Sequence, residues 1–256
     1  MTILVINQTH SVSTESTQFL VGTSGWTYPH WQGRFYPADW PKSKWFEYYT
    51  QKFSVVEVNA TFYRTFKEQT YHNWRAKAPE GFHYVLKAPR FITHRKYLKD
   101  VGNECQAFYK SAALLENRLG LILLQLAPGT PYEPERLRQA LLAFDDPTKI
   151  AVEFRHARWF TEEIRLLLTE LGAVFCTADS PKTELMDWLT ADTAYLRLHG
   201  RTHWFAYDYS NEELKGIADL AKRLGKMGAK EIYIFFNNDF EGSAPKNALA
   251  LREMLG

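Results

Sequence analysis

Eight short runs rich in β-branched and aromatic residues recur along the chain, each followed by a stretch with helical periodicity, and this alternation limits the fold more than any other feature. The runs span 19–24, 53–59, 82–87, 121–126, 149–155, 173–179, 194–199 and 231–237. Several are almost continuously apolar, the mark of strands buried on both faces of a parallel sheet. Eight strands each followed by a helix, in a chain of 256 residues, predict a single-domain (β/α)8 TIM-type barrel. An open doubly wound sheet has the same periodicity and stays as the alternative. Helix punctuation agrees with the frame: Pro41 and Pro134 open helices, Asn103 precedes one, Thr161 starts one that stops at Gly172, and Ser210 with Glu213 has capping-box spacing. No Pro/Gly/Ser-rich linker divides 19–256, and residues 1–18 read as a flexible, Ser/Thr-rich N-terminal arm.

Successive side chains on a strand face opposite ways, and in a barrel the inward ones at the C-terminal strand ends form the mouth where sites are built. With Val56 and Val58 toward the helices, Val55, Glu57 and Asn59 turn inward; with Val152 and Phe154 outward, Glu153 and Arg155 turn inward. Leu196 and Leu198 leave Tyr195, Arg197 and His199 on the inner face. The same alternation sends Lys87, Gln125, Asp179 and Asn237 inward, so seven strands, the second to the eighth, deliver polar groups to one mouth.

Burying so many ionisable groups is costly unless they pair. One explanation is a self-satisfied network, with Glu57, Glu153 and Asp179 matched by Lys87, Arg155 and Arg197. The other is a functional pocket in which Lys87 with Arg197 or Arg155 holds phosphate or carboxylate, while Glu57, Glu153 and His199 move protons. On that reading Glu57, Lys87, Glu153 and His199 are the candidate catalytic residues. Trp26, Asn59, Gln125, Arg155, Trp159, Asp179, Arg197 and Asn237 are candidate ligand contacts. Glu57 and Glu153 also match a glycosidase pair in type, but sequence does not give their separation. Three nearby cations compete for the carboxylates, so neither metal nor other cofactor is expected.

Loops after the first, fifth and seventh strands are aromatic: Trp26, Tyr28, Trp31, Phe35, Tyr36 and Trp40, then Trp159 and Phe160, then Trp204, Phe205 and Tyr207. Such residues either seal the barrel top or form a stacking rim for a sugar face or nucleobase, with Arg201 and His203 beside it. The Gly22–Trp26 stretch reads equally as a tight turn or as close backbone approach to a ligand.

The net charge of +2 leaves no basic stripe for non-specific nucleic-acid capture. Cys105 and Cys176 lack metal-ligand spacing and fit buried, unpaired thiols in a reducing cytoplasm. No apolar run approaches the roughly 20 residues needed to span a bilayer. A cytoplasmic protein without membrane contact is therefore expected, and its oligomeric state is not encoded in any readable feature.

The segments Gly22-Thr23-Ser24-Gly25-Trp26, Glu57-Val58-Asn59-Ala60-Thr61-Phe62-Tyr63, Lys87-Ala88-Pro89, Gln125-Leu126-Ala127-Pro128, Val152-Glu153-Phe154-Arg155, Tyr195-Leu196-Arg197-Leu198-His199-Gly200 and Asn237-Asn238 occur in this order. Together they resemble the YecE-like family, catalogued as domain of unknown function seventy-two. The resemblance covers about residue 19 to the C-terminus and implies a TIM-type barrel with a shared pocket at these positions, which adds Tyr63 and Asn238 to the ligand contacts. It supplies no activity. Ala127 stands where the family usually has a second proline. The family is similar in architecture to barrels that act on sugars or on abasic DNA through metals, but the several strand-end histidines a three-metal site needs are not apparent here.

Three functions follow as expectations. The first is an enzyme using general acid–base chemistry on a small anionic, sugar-like or nucleotide-like molecule. The second is a metal-dependent phosphodiesterase or endonuclease-like hydrolase with nucleic acid as partner, which a pI of about 8.4 and the aromatic rim would suit. The third is a non-catalytic ligand-binding protein.

Overall fold

The computed structural model describes residues 16–256. Eight parallel strands close into a barrel in chain order: β1 (Gln18–Ser24), β2 (Val55–Val58), β3 (His83–Lys87), β4 (Leu119–Gln125), β5 (Ile150–Glu153), β6 (Val174–Asp179), β7 (Thr193–Leu198) and β8 (Glu231–Phe236). Closure is made by β8 pairing with β1 from Gln18↔Glu231 to Thr23↔Phe236. The doubly wound alternative is thereby removed. Of the expected N-terminal arm, residues 1–15 lie outside the described residues, while Gln18 already belongs to β1.

The outer layer consists of α1 (Trp45–Lys52), the short α2 (Ala60–Tyr63), α3 (Glu68–Lys77), α4 (Gly102–Ala113), α5 (Pro134–Leu142), α6 (Glu162–Leu171), α7 (Asn211–Lys226) and α8 (Ser243–Leu255). Most of their ends follow the sequence cues, although Asn103, expected to precede a helix, is the second residue of α4. Thr161 accepts from the Ile164 amide, Gly172 ends α6 in left-handed backbone, and Ser210 and Glu213 form a reciprocal capping box. One expectation fails here: β6 is not followed by a helix, and residues 180–192 cross to β7 as irregular chain pinned by Thr183 Oγ1 to the Ala178 carbonyl.

Two apolar cores result. Inside the barrel lie Leu20, Val55, Val85, Leu121, Leu123, Ala151, Val174, Cys176, Tyr195, Tyr233 and Phe235; the larger core fills the space between strands and helices. Gly22 lets β1 approach β2, because a Cβ there would lie 2.3 Å from the Val55 carbonyl oxygen. Cys105 and Cys176 are buried and unpaired. Among the described residues no helix is long and apolar enough to cross a membrane.

Candidate functional site

Above Tyr195 and Phe235 the barrel interior turns polar, and Arg197 lies at the centre with no exposed surface. Its guanidinium donates from Nε to Glu57 Oε2 at 2.9 Å, from Nη2 to Glu57 Oε1 at 2.7 Å and from Nη1 to Glu153 Oε2 at 2.5 Å. Glu57 also accepts from Tyr195 Oη at 2.5 Å and Ser24 Oγ at 2.8 Å. Glu153 accepts from Gln125 Nε2 at 3.0 Å and pairs with Arg155 Nε at 2.6 Å. All four oxygens of the two carboxylates are occupied.

Burial alone would raise the Glu57 carboxyl; the Arg197 charge and the hydrogen bonds from Arg197, Tyr195 and Ser24 outweigh it and hold the group below the usual range. Glu153 is likewise opposed by burial, yet Arg155 and Arg197 hold it well below that range. Both glutamates are thus ionised and saturated, which suits them to hold Arg197 and not to exchange protons.

His199, fully buried, has Nε2 3.3 Å from Glu153 Oε1 and 3.1 Å from Arg155 Nη2, with Nδ1 3.1 Å from the Asn237 amide nitrogen. Burial and the Arg197 charge push its pKa down to about 4, so the ring is neutral at physiological pH. Trp204 and Phe205 roof it with ring centroids at 5.4 and 5.8 Å, and the Arg155 guanidinium stacks 4.8 Å from the Trp204 ring.

Lys87 differs from its neighbours. Among the described residues its ammonium has neither hydrogen-bond nor ion-pair partner, and it stands 4.2 Å from the Phe62 ring centroid while retaining contact with solvent. The ring face contributes about 0.5–2 kcal/mol to holding a cation there. Burial, then Arg197, nonetheless push the Lys87 pKa down to about 8 against the pull of Glu153 and Glu57.

Glu57, Lys87, Gln125, Glu153, Arg155, Arg197, His199 and Asn237 therefore meet at one mouth. Asn59 follows β2 with a buried Oδ1 that lacks a partner among the described residues, and Tyr63, 67% exposed, stands on the rim against Phe62. Four expected contacts lie elsewhere. Asp179 is on the outer face, because Val174 and Cys176 are the inward residues of β6; it pairs with Arg201 at 2.9 Å beside an outward cleft lined by Ser180 and Lys182. Trp159 is buried outside the barrel, stacked on Phe154 at 5.2 Å. Asn238 bonds Asn247 Oδ1 and the Tyr207 carbonyl beneath α8. Trp26 packs sideways on Phe46 of α1. Seven strands still feed the mouth, with Ser24 of β1 replacing Asp179 of β6.

The aromatic loops divide in the same way. Trp31, Tyr36 and Trp45 are buried, Tyr36 and Trp45 stacking at 4.9 Å, so the first loop seals the barrel flank, whereas Trp204 and Phe205 cover the site. Ser24 and His94 were missed by sequence reasoning. His94, on the turn Phe91–Arg95 after β3, sets its ring edge-to-face 5.0 Å from Phe62, the ring that also faces Lys87. Its only readable signal is its place seven residues past Lys87, in a loop where strand alternation no longer applies. Among the described residues no group of three or more His, Cys, Asp or Glu side chains is arranged to hold a metal ion.

A family model described as "Protein of unknown function DUF72" matches residues 20–256. The chain is similar to the UPF0759 protein YunF of Bacillus subtilis, at 24% identity over 271 residues covering 92% of this chain and 94% of that protein. It is also similar to the crystal structure of a DUF72 family protein from Thermotoga maritima, with a TM-score of 0.85 and 32% identity over 93% of this chain and 99% of that one. A DUF72 family protein from Enterococcus faecalis matches with a TM-score of 0.80 at 20% identity, covering 93% of this chain and 95% of that chain.

Proposed function

We propose, for a chain that belongs to the DUF72 family of proteins of unknown function, that the barrel mouth takes up a small anionic molecule and acts on it by proton transfer. The observation that carries this reading is the unpartnered Lys87 ammonium. Arg155, Arg197 and Lys87 face only Glu57 and Glu153, both already saturated, and His199 is neutral, so the mouth holds one positive charge in excess. A carboxylate or phosphate placed between Lys87 and the outer edge of Arg155 would neutralise it and receive charge-assisted hydrogen bonds. Lys87, with a pKa of about 8, is then the group best able to give or take a proton near neutrality. Residues 200–207 cover His199, and there Gly200 (φ +97°) and Phe205 (φ +65°) hold left-handed backbone. A Cβ on Gly200 would sit 2.5 Å from that of Tyr207, so this turn accepts no larger residue without shifting.

The test is thermal unfolding against inorganic phosphate, pyruvate and a neutral sugar. A ligand at a hundred times its Kd adds roughly 2.7 kcal/mol to stability. The anions should stabilise, the sugar should not, and Lys87→Met should remove the effect; indifference to every anion overturns the reading.

A specific observation keeps the nucleic-acid alternative in view. The exposed large aromatics Tyr63, Phe91, Tyr97, Phe205 and Phe240 all lie in connections that follow C-terminal strand ends, the first three next to Arg64, Arg90 and Lys96 in the chain. Aromatic and basic side chains interleaved in this way bind single strands by stacking and charge. Fluorescence anisotropy with a labelled single-stranded oligonucleotide over a salt series tests it, and binding absent at low salt removes it.

A further inference from the structure

We infer that the Lys87 side chain is a covalent attachment point for a small carbonyl compound bearing a carboxylate or phosphate, which it holds as a protonated imine; this rests on the anion-binding reading above. Three features of the mouth support it. The first is placement: Nζ ends an inward side chain of β3 and is 9% exposed as a residue, reachable from outside but largely shielded from water. The second is freedom. A lysine held by a carboxylate is pinned and protonated, but here Glu57 is committed to Arg197, Tyr195 and Ser24, and Glu153 to Arg197, Arg155 and Gln125. The Phe62 ring faces the ammonium and offers no carboxylate to take its proton.

The third feature is a proton carrier. His94 stands at the edge of Phe62, its Nδ1 2.8 Å from Thr93 Oγ1, and its Nε2 has no hydrogen bond among the described residues. Burial, followed by the charge of Lys87, lowers its pKa, so the imidazole is neutral and sits within the electrostatic reach of the amine. Desolvated lysines beside a second cation are the ones that attack carbonyl carbon, and Arg155 and Arg197 supply that cation.

The chemistry balances without a redox partner. The Nζ lone pair forms the C–N bond as the carbonyl π electrons move to oxygen, and one N–H proton passes to that oxygen. A second proton, delivered through His94, lets the oxygen leave as water. The nitrogen keeps one proton and shares the positive charge of the imine. The carboxylate or phosphate of the same molecule meets Arg155, which selects a carbonyl compound with an anionic end.

The experiment uses the full chain at neutral pH with glyoxylate and borohydride, which reduces any imine to a stable carboxymethyl amine, followed by peptide mapping. With Lys87 at about 8, its neutral-amine fraction exceeds that of a free lysine by roughly two orders of magnitude. Lys87 should therefore be labelled at least about tenfold faster than the exposed Lys67 and Lys96, and faster with glyoxylate than with acetaldehyde. Inorganic phosphate should slow the labelling. Lys87→Arg should abolish it at this position while keeping stabilisation by phosphate, and His94→Asn should slow it. Labelling of Lys87 no faster than that of the surface lysines, with phosphate still stabilising, overturns the covalent assignment alone. Loss of both preferences overturns the anion site with it, and an unchanged rate in His94→Asn overturns the proton-carrying assignment.

Discussion

Arg197 holds the mouth together, since one guanidinium with no exposed surface reaches both buried carboxylates. Arg197→Met fills much of its volume but leaves Glu57 and Glu153 facing each other without their shared counter-ion, a loss of about 3–5 kcal/mol to be read as a fall in the urea midpoint. Lys87 carries the opposite sign. Between about 8 and 10.5 the unfolded chain keeps a proton that the native one has lost, so stability rises with pH across that window, and below it the native state bears a poorly solvated charge. Lys87→Met should therefore raise neutral-pH stability by about 1–3 kcal/mol and flatten that rise in denaturation midpoints. The residues legible in the sequence were those on strands with clear alternation: Val152 and Phe154 expose Glu153, and Leu196 and Leu198 expose Arg197 and His199. Asp179 was misplaced because Val-Phe-Cys-Thr-Ala-Asp carries no apolar period to count from. Ser24 was hidden between two glycines that read as a turn, and Trp159 and Asn238 lie past strand ends, where parity has no force.

At the scale of elements, the shortest paired seam of the barrel lies between β1 and β2, whose register is carried by Thr23↔Val56 and Ser24↔Glu57. Gly22 allows that approach. Gly22→Ala pushes a methyl into the Val55 carbonyl, and the adjustment that relieves it also strains the Ser24–Glu57 hydrogen bond. A loss of about 1–3 kcal/mol in thermal unfolding is expected, with weaker stabilisation by phosphate in the same samples. A change that lowers stability but leaves phosphate binding intact would show that the seam and the site are independent. Strand order and helix caps were readable because they depend on local chemistry, as at Thr161, Gly172, Ser210 and Glu213. The missing helix after β6 was not. The Thr183 and Ser180 hydroxyls that tie residues 180–192 to the end of β6 leave no trace in hydrophobic periodicity.

For the whole molecule, closure makes the network and the fold a single electrostatic unit, because Glu57, Glu153, Arg197 and His199 come from three strands that must all be in register. Acid should therefore act on the barrel through this unit. His199 falls from 6.5 to about 4 on folding, and burial lowers His83 and His94 as well. Across that interval the unfolded chain binds protons that the native chain refuses, so stability is full above 6.5 and declines as pH drops toward 4, by roughly 3 kcal/mol for His199 alone. Below the ordinary carboxylate range the loss continues, since Glu57 and Glu153 are held low in the native state and their contribution disappears as they take up protons. The groups facing His199 are Arg155, Arg197, Glu153 and Asn237, so replacing the ring alone isolates its share. Urea midpoints measured at intervals from neutral pH to 4 should fall steadily in the natural chain and markedly less in His199→Asn, with the two curves separating most near the lower end. Parallel curves would mean that His199 is protonated alike in both states, and the neutral ring at the centre of the mouth would have to be abandoned.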